Sequence, residues 1–502
     1  MIKRLLIANR GEIAVRIARA CRELGVESVA AYSEADARAL HVMAADRAVS
    51  IGPASAADSY LSIPRLIDAA RASGADAVHP GYGFLSENAA FAEACEHAGL
   101  AFVGPPSHVI AQMGSKIEAR RLMKRAGVPV VPGGTPADQS DESLVALIER
   151  LGPPALIKPS AGGGGKGMHR VFAHDQIAGA VQTARREALA AFGDGTLYVE
   201  RLIERPHHVE VQVIGDGHGH LVHLFERECS VQRRHQKVIE ESPSPAITPA
   251  LRERLTAAAV NAARTVSYCN AGTVEFLVDL GGGDIDRAPF YFLEMNTRLQ
   301  VEHPVTEQVA GVDLVRAQLI VASGEPLPWD QRTLAQRGHA IEVRVYAEDP
   351  SHGFLPQAGR LLLYREPRLP GVRVDSGFVE GNEISVHYDP LIAKVIASAE
   401  TRDLTIVRLV AALREYPILG IGTNISYLLR ILEHPQFQSG DVDTGFLERE
   451  SEALAERPDT PVPPPVMAAM ALHGKDSAIS DIPDDHTHSA WDPWRRSTGW
   501  RS

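Results

Sequence analysis

The chain has 502 residues, 45% hydrophobic and 23% charged, with a formal net charge of −12. That length holds two to four domains, the composition is that of a soluble globular enzyme, and the negative balance opposes non-specific nucleic-acid binding. No apolar run approaches the ~18 residues of a membrane span, residues 5–8 are too short for a signal peptide, and the scattered Cys21, Cys95, Cys229 and Cys269 form neither a CxxC zinc pair nor a disulfide frame, so a reducing cytoplasm is expected.

The N-terminal part alternates short apolar runs with helical patterns. Residues 5–8, 28–32, 75–79 and 101–103 read as strands, and 13–24, 63–72 and 89–98 as helices, the rhythm of a parallel sheet covered on both faces. Its first turn, Asn9-Arg10-Gly11-Glu12, lacks the GxGxxG of nicotinamide-binding folds. HPGYGF at 79–84 ends a strand in a glycine-rich loop, the end of a parallel strand at which ligands are met.

A helix over 116–126 and a proline-glycine break at 128–134 lead into a compact α/β unit. Its strand at 155–157 runs into KPSAGGGGKGM at 158–168. Gly162, Gly163, Gly164 and Gly165 let backbone N–H groups approach an anion, and a lysine on each side adds charge. Gly167 stands where a Walker A loop needs Ser or Thr, so the expectation is a phosphate-binding lid of another kind.

From 207 to about 330 the strands lengthen and alternate (209–213, 220–225, 273–279), as in an antiparallel sheet with one face on a core. In TVEFLV at 273–278, Glu275 faces away from Val274, Phe276 and Val278. Pairing with 290–296 would set Glu275 beside Glu294, and two such carboxylates repel unless a cation joins them; oxygen ligands suit Mg²⁺. ERECSVQRRHQK at 226–237 reads as a solvated charge run, or as the clamp of an anionic co-substrate. His208 reads equally as a ligand contact or a satisfied sheet histidine.

In FYFLEMNTRLQVEHPV at 290–305, Glu294, Asn296, Arg298, Gln300 and Glu302 recur at every second position. Fully extended, Glu294 and Glu302 would stand roughly 27 Å apart at ~3.3 Å per residue. They serve one site only if the chain bends, and the polar stretch 296–298 is the expected place. Residues 335–447 read as a further α+β segment with strands near 340–346 and 392–397. Beyond it come a stiff PVPPP linker at 461–465 and a polar tail bearing Trp491, Trp494 and Trp500, which needs a docking surface or a following domain.

Taken together, IANRGEIAVRIARAC, HPGYGFLSEN, KPSAGGGGKGM, CSVQRRHQKVIEESP, FLEMNTRLQVEHPVTE and HAIEVRVYAEDP resemble, in order, the motifs of biotin carboxylase, a member of the ATP-grasp superfamily, over residues 1–447. The resemblance implies a fold of mixed α/β and α+β character. It has an N-terminal Rossmann-like parallel sheet (1–114), an ATP-grasp domain (115–334) with a mobile lid (130–204), a C-terminal α+β domain (335–447) and a poorly ordered tail (448–502). It also implies a ligase reaction: ATP phosphorylates bicarbonate to carboxyphosphate, which yields CO₂ to N1′ of biotin held on a carrier-protein lysine. ADP and phosphate are released.

Carried over by motif, Lys116 and Lys158 bind phosphates under the lid glycines. Glu200, Ile203, His208 and His235 belong with the nucleotide, His235 also lying close to the biotin. Glu275, Glu294 and Asn296 hold Mg²⁺ or Mn²⁺. Lys237, Arg298, Gln300, Val301 and Glu302 form the bicarbonate pocket, with Glu302 as base, ionised between Arg298 and Lys237. Arg344 stabilises the biotin enolate, near Gly83. The partners implied are a biotin carboxyl carrier protein or domain, a carboxyltransferase subunit and a second copy of the chain or a larger carboxylase complex, with Arg16, Arg19 and Glu23 as a homodimer stripe; nucleic acid and membrane are not among them. The sequence departs from the family pattern in a longer loop at 281–289, in Tyr346 where asparagine is common, and in SVHYDP at 385–390, which is closer to propionyl- and methylcrotonyl-CoA carboxylase α chains. No AMKM-like biotinyl-lysine motif is present, so the carrier is expected in trans or on a longer version of the chain. Two other readings are an ATP-grasp ligase for a different carboxylate and a non-catalytic nucleotide-binding scaffold; Arg344 and the HPGYGF loop, with no general ATP-grasp role, speak against the first.

Overall fold

A computed structural model describes residues 1–160, 167–281 and 283–455. The lid glycines Gly162, Gly163, Gly164 and Gly165 and the tail tryptophans lie outside the described residues.

The N-terminal sheet comprises β1 (Arg4–Ile7), β2 (Glu27–Tyr32), β3 (Arg47–Ser50), β4 (Ala77–His79) and β5 (Ala101–Phe102) in the order β3-β2-β1-β4-β5. Every pairing is parallel. Strand geometry sends alternate side chains to opposite faces, and here Leu5 and Ile7 join the core containing Ile13 and Ile17, while Leu6 and Ala8 join the one containing Leu66 and Phe91. The helix Gly11–Leu24 stops at Gly25, whose φ of 68° is a left-handed cap that glycine adopts without steric cost. β3 has no counterpart in the sequence reading. Its residues are mostly exposed at the sheet edge, so it carries no apolar run to read.

A small antiparallel sheet follows, built from β6 (Gly133–Gly134), β7 (Ala155–Pro159), β8 (His169–Val171) and β9 (Leu197–Arg201) in the order β6-β9-β7-β8. Leu144, Ile148 and Val181, from the helices Asp141–Leu151 and Ile177–Phe192, pack with Ile157, Leu197 and Val199 of the sheet.

The largest sheet is antiparallel and eight-stranded. It takes in β10 (His207–Gly215), β11 (Leu221–Arg233), β12 (Gln236–Ser242), β13 (Asn270–Val278), β14 (Phe290–Asn296), β15 (His339–Tyr346), β16 (Val372–Ser376) and β17 (Leu391–Ala399). Their order is β14-β13-β10-β11-β12-β15-β17-β16. Strands expected in two domains on either side of residue 335 therefore share one sheet, joined by β12 pairing with β15. Alternation within each strand could not reveal that neighbour. Val209, Val211, Val213, Val274, Phe276 and Val278 bury one face against Leu251, Leu255 and Ala259 of the helix Pro249–Thr265. The opposite face is polar and carries the site.

Two expectations are corrected. Arg16 is buried, not on a surface stripe: its Nη2 lies 2.9 Å from Glu307 Oε1 and 2.7 Å from Asp313 Oδ1, an internal tie, whereas Arg19 and Glu23 are exposed. The folded body also runs past 447, through the short helices Phe446–Arg449 and Ser451–Leu454, and Leu454 is buried in the core that holds Ile341 and Val343. No described helix is long and apolar enough to cross a membrane.

Because Phe276 is fully buried between sheet and helix, Phe276→Ala should destabilise the protein by about 3–5 kcal/mol, read as a lower midpoint of urea unfolding.

Candidate active site

Strand register assembles the charged face. Glu294 pairs with Glu275, Glu275 with Glu210, and Glu210 with Arg227, so three carboxylates and one guanidinium cross β14, β13, β10 and β11 in a row. Like charges directly opposite one another destabilise a sheet unless cations intervene. Two cations do. Arg227, fully buried, donates through Nε to Glu210 Oε1 at 2.6 Å, through Nη1 to Gln212 Oε1 at 2.8 Å and Thr306 Oγ1 at 2.9 Å, and through Nη2 to Thr273 Oγ1 at 3.1 Å. Lys237 donates to Glu210 Oε2 at 2.6 Å, Glu275 Oε1 at 3.0 Å and Glu302 Oε1 at 2.6 Å. Burial disfavours its charge, yet these three carboxylates hold its pKa well above the usual lysine value.

Lys237 is placed by a hairpin. The segment 226–237 is neither a solvated run nor a loop: β11 continues to Arg233, Glu226 to Ser230 are buried, and Arg234 and His235 turn the chain at φ 50° and 66°. Two successive positive φ values suit a tight hairpin turn whose twist matches the strands, and for non-glycine residues they are uncommon.

The ribbon 290–305 bends where expected. β14 ends at Asn296, and the chain turns into the helix His303–Ala310, which places Glu302 just before that helix with 0% of its surface exposed. Glu302 Oε1 meets Lys237, and Oε2 accepts from Arg344 Nη2 at 3.1 Å. Burial alone would raise its carboxyl; Lys237, Arg344 and Arg227 instead hold it well below the usual range. Arg298 is not its direct neighbour, contrary to expectation: Nε reaches Glu87 Oε2 at 2.8 Å, Nη1 Gln300 Oε1 at 3.2 Å and Nη2 Asn296 Oδ1 at 3.2 Å. Arg344, on a strand neighbouring β12, takes that place. Gln300 Nε2 lies 3.3 Å from Glu275 Oε1, and Val301 O accepts from the buried Lys394 Nζ at 2.7 Å.

Glu275 and Glu294 differ sharply although they face each other. Against its burial, Lys237 and His208 hold the Glu275 carboxyl low, His208 Nε2 standing 3.0 Å from Glu275 Oε2. Burial and the charge of Glu275 push Glu294 up, and no lysine, arginine or histidine nitrogen among the described residues comes within ion-pair distance of it. Glu294 thus lacks a direct ion-pair partner beside oxygen donors, Lys116 acting on it only from a distance, which suits a hard divalent cation. Asn296 turns its amide N–H to Glu275 Oε1 at 2.9 Å and its oxygen to Arg298 Nη2 at 3.2 Å, and an amide oxygen so engaged keeps a second lone pair. His208 Nε2, Glu210 and Glu275 also bring one ligand atom each to within 4.8 Å of one another.

One cleft of about 1700 Å³ joins these groups to the rest of the expected set; Gly83, Lys116, Ile203, His235 and Arg344 all line it. Lys158 on β7 lies 2.5 Å from Glu200 Oε2 on β9, and Arg120 holds the other oxygen of Glu200. Burial lowers the Lys116 pKa despite Glu294, and Lys158 adds to the lowering. His235 is lowered by burial and by nearby Arg170 and Lys158. Gly83 sits at φ 66° with open space where a Cβ would project, so backbone alone forms that wall. Glu302 stays behind Lys237 and does not line the cleft. Sequence reasoning missed Glu210 and Arg227; the alternation of VEVQV at 209–213 marked Glu210 as polar-facing, but only register shows that it borders Glu275.

Three family models cover most of the chain: "Biotin carboxylase, N-terminal domain" matches residues 1–110, "Carbamoyl-phosphate synthase L chain, ATP binding domain" 115–329, and "Biotin carboxylase C-terminal domain" 342–449. The chain is 47% identical over 502 residues to the mitochondrial methylcrotonoyl-CoA carboxylase subunit alpha of Rattus norvegicus, covering 100% of itself and 69% of that protein. It is 51% identical over 447 residues to a biotin carboxylase of Halalkalibacterium halodurans, covering 89% and 97%. Among solved structures, the biotin carboxylase domain of Hydrogenobacter thermophilus 2-oxoglutarate carboxylase, crystallised as a dimer with MgADP, ADP and bicarbonate, matches with a TM-score of 0.86 at 43% identity, covering 91% of this chain and 99% of that one. A biotin carboxylase–nucleotide complex from Campylobacter jejuni matches at 0.85 and 44%, covering 89% and 99%.

Removing either end of the acidic row should act in opposite directions on stability. Glu210→Ala strands the buried Arg227 and should cost about 3–5 kcal/mol, whereas Glu294→Gln relieves a like-charge contact and should stabilise the metal-free protein by roughly 0.5 kcal/mol. Thermal unfolding in chelator reads both. Glu275 and Glu302 are held below their unfolded values, so the stability they contribute is complete above the ordinary carboxylate range and is lost only as pH falls through their lower folded values.

Proposed function

The chain belongs to the biotin carboxylase family, ligases that carboxylate biotin with ATP, and from that premise we propose the part each residue of this cleft plays. The observation that carries the proposal is Glu302, buried and ionised between Lys237 and Arg344, where the acidic row, the lysines of the small sheet and the HPGYGF loop converge.

Lys116 and Lys158 bind the phosphates of ATP, and the nucleotide lies along Glu200, Ile203 and His208. A divalent cation, Mg²⁺ or Mn²⁺, seated on Glu294 and Glu275 would neutralise phosphate charge during transfer. Lys158 reaches the phosphates by leaving Glu200, which keeps Arg120 as its partner. Phosphoryl transfer needs positioning and charge more than covalent help, and the cleft supplies both.

Bicarbonate enters between Arg298, Gln300, the Val301 backbone and Lys237. Its negative oxygens compete with Glu302 for Lys237 and Arg344, and each contact that Glu302 loses raises its proton affinity. Glu302 can then take the bicarbonate proton while the freed oxygen attacks the γ-phosphoryl group, giving carboxyphosphate and ADP. Decay of carboxyphosphate yields CO₂ and phosphate beside the biotin ring; the phosphate takes the N1′ proton, Arg344 stabilises the enolate oxygen that results, and N1′ attacks the CO₂ to give carboxybiotin, with Gly83 and His235 forming the wall. Lys394 fixes the Val301 carbonyl, and with it the approach to Glu302.

Biotin reaches the cleft on a carrier protein or domain, and a carboxyltransferase partner consumes the carboxybiotin. The identity with methylcrotonoyl-CoA carboxylase α subunits supports a place in an acyl-CoA carboxylase. A homodimer through the exposed Arg19 and Glu23 follows the dimeric state of the Hydrogenobacter domain.

Glu302→Gln should lower bicarbonate- and biotin-dependent ADP release by about 10²–10⁴-fold while nucleotide affinity, measured by calorimetry, stays near that of the unsubstituted chain. Substantial turnover in this variant would remove Glu302 as the base. Glu294→Ala should raise the Mg²⁺ concentration that half-saturates turnover; an unchanged metal dependence would separate Glu294 from the cation.

A further inference from the structure

Behind Arg344 lies a second pair of facing carboxyl groups that the reaction outlined above leaves unused. Glu240 on β12 stands directly opposite Glu342 on β15 in the antiparallel register. Such partners project from the same face with Cβ atoms about 4.5–5.5 Å apart, and neither residue has any exposed surface. Glu240 Oε1 accepts from Arg344 Nε at 2.6 Å, and Nη2 of the same guanidinium holds Glu302 Oε2 at 3.1 Å. Three oxygens remain, Glu240 Oε2 and both of Glu342, all buried without a hydrogen-bond donor among the described residues.

Two ionised carboxylates in that position would repel each other across a low-dielectric gap and leave three acceptors empty. One proton between them removes the repulsion and engages two of the three oxygens, leaving only the neutral carbonyl oxygen of the protonated group without a donor. The cations around the pair are already engaged. Lys394 on β17 is held by Val301 O at 2.7 Å and Glu12 Oε1 at 3.2 Å, with Asp375 Oδ2 at 3.9 Å. Lys237 serves its three carboxylates, Arg344 is shared between Glu240 and Glu302, and the Tyr82 hydroxyl, on the side of Glu342, is given to Glu12. Buried Cys229, on the side of Glu240, adds no positive charge. Burial pushes the Glu240 carboxyl up to about 7 against the pull of Arg344, and burial drives Glu342 well above the usual range in spite of Lys394.

We propose that Glu342 stays protonated at neutral pH and donates to Glu240, so that the pair positions Arg344 while carrying one negative charge instead of two. With Glu240 and Glu302 already ionised against Arg344, a third negative charge would weaken further the positive field that the guanidinium turns toward the cleft. The neutral Glu342 preserves that field for an anion, which, on the reading of Arg344 given above, is the biotin enolate. Both glutamates act through Arg344 and are positioning residues.

Melting temperatures across a pH series test the proton directly. A carboxyl whose folded pKa is raised makes the protein lose stability as pH climbs above the unfolded value of about 4.3, and glutamine cannot titrate. The melting temperature of Glu342→Gln minus that of the unsubstituted chain should therefore grow from about pH 5 upward; a difference that shrinks or stays flat overturns the proposal. Infrared spectra provide a second readout that needs no active enzyme: the unsubstituted chain at pH 7 should show a protonated-carboxyl stretching band that Glu342→Gln lacks, and absence of that band also overturns it. In turnover, the KM for free biotin should rise with alkaline pH as Glu342 ionises, and Glu342→Gln should flatten that rise. Glu240→Gln should raise KM about tenfold through loss of a charge-assisted hydrogen bond to Arg344. Should the unsubstituted chain show no biotin-dependent turnover, the assignment of Arg344 to biotin fails while the melting and infrared results still decide the shared proton.

Discussion

One ammonium group organises this molecule's chemistry. Lys237 donates to Glu210 on β10, Glu275 on β13 and Glu302 at the start of a helix, three carboxylates from separate stretches of chain. Each would be costly to bury alone, and a buried charge is tolerated only where it is paired and hydrogen-bonded. The lysine's three N–H groups match three acceptors, so the cluster is satisfied only when the two strands and the ribbon arrive together. The row of acids across the sheet is thus permitted by a residue that sits in none of its positions.

The cost of that row is offset on the other face of the same strands. Val209, Val211, Val274 and Phe276 alternate with Glu210 and Glu275 and lock into the helix Pro249–Thr265. A one-residue slip of register would exchange the two faces completely, which makes the hydrophobic packing the guarantor of the charged geometry. Arg227 shows how far this goes: it is fully buried, touches no cleft, and exists to hold Glu210 with the help of Gln212, Thr273 and Thr306.

Local signals in the sequence were enough for the buried strands and the long helices of the N-terminal sheet, for the pairing of Glu275 with Glu294, and for the bend after Asn296, because alternation and chain reach determine each of them; they were not enough for the exposed edge strand β3 of that sheet. The order of the motifs supplied the family. What alternation does not encode is which strands become neighbours. The pairing of β12 with β15 joins segments about a hundred residues apart and brings Arg344 to Glu302, the place expected for Arg298. The run 226–237 reads as solvated because charge density alone favours that reading; Glu226, Arg227 and Glu228 are nevertheless buried, since each meets an opposite charge or a hydroxyl from elsewhere in the chain, as Glu226 meets Arg252 and Glu228 meets Ser244. Arg16, on an apparently polar stripe, is buried for the same reason, by Glu307 and Asp313.

The division between rigid and yielding parts follows from this construction. Lys237, Arg344, Glu240 and Glu275 stand on strands of one sheet, where backbone ladders and side-chain pairs fix them before any substrate arrives, the preorganisation that makes electrostatic stabilisation effective. Lys158 and Glu200 belong to the separate four-stranded sheet, and their contact at 2.5 Å gives the Lys158 ammonium a partner that, on the proposed reading, phosphates would replace. Glu302 lies between these regimes: its backbone is set by the helix that follows and by Lys394 on Val301, yet both carboxylate oxygens are held by cations that an incoming anion also attracts. If Glu302 is the base proposed above, this construction keeps it ionised and screened from water until an anion draws its partners away, so that its proton affinity rises only when there is something in the cleft to deprotonate.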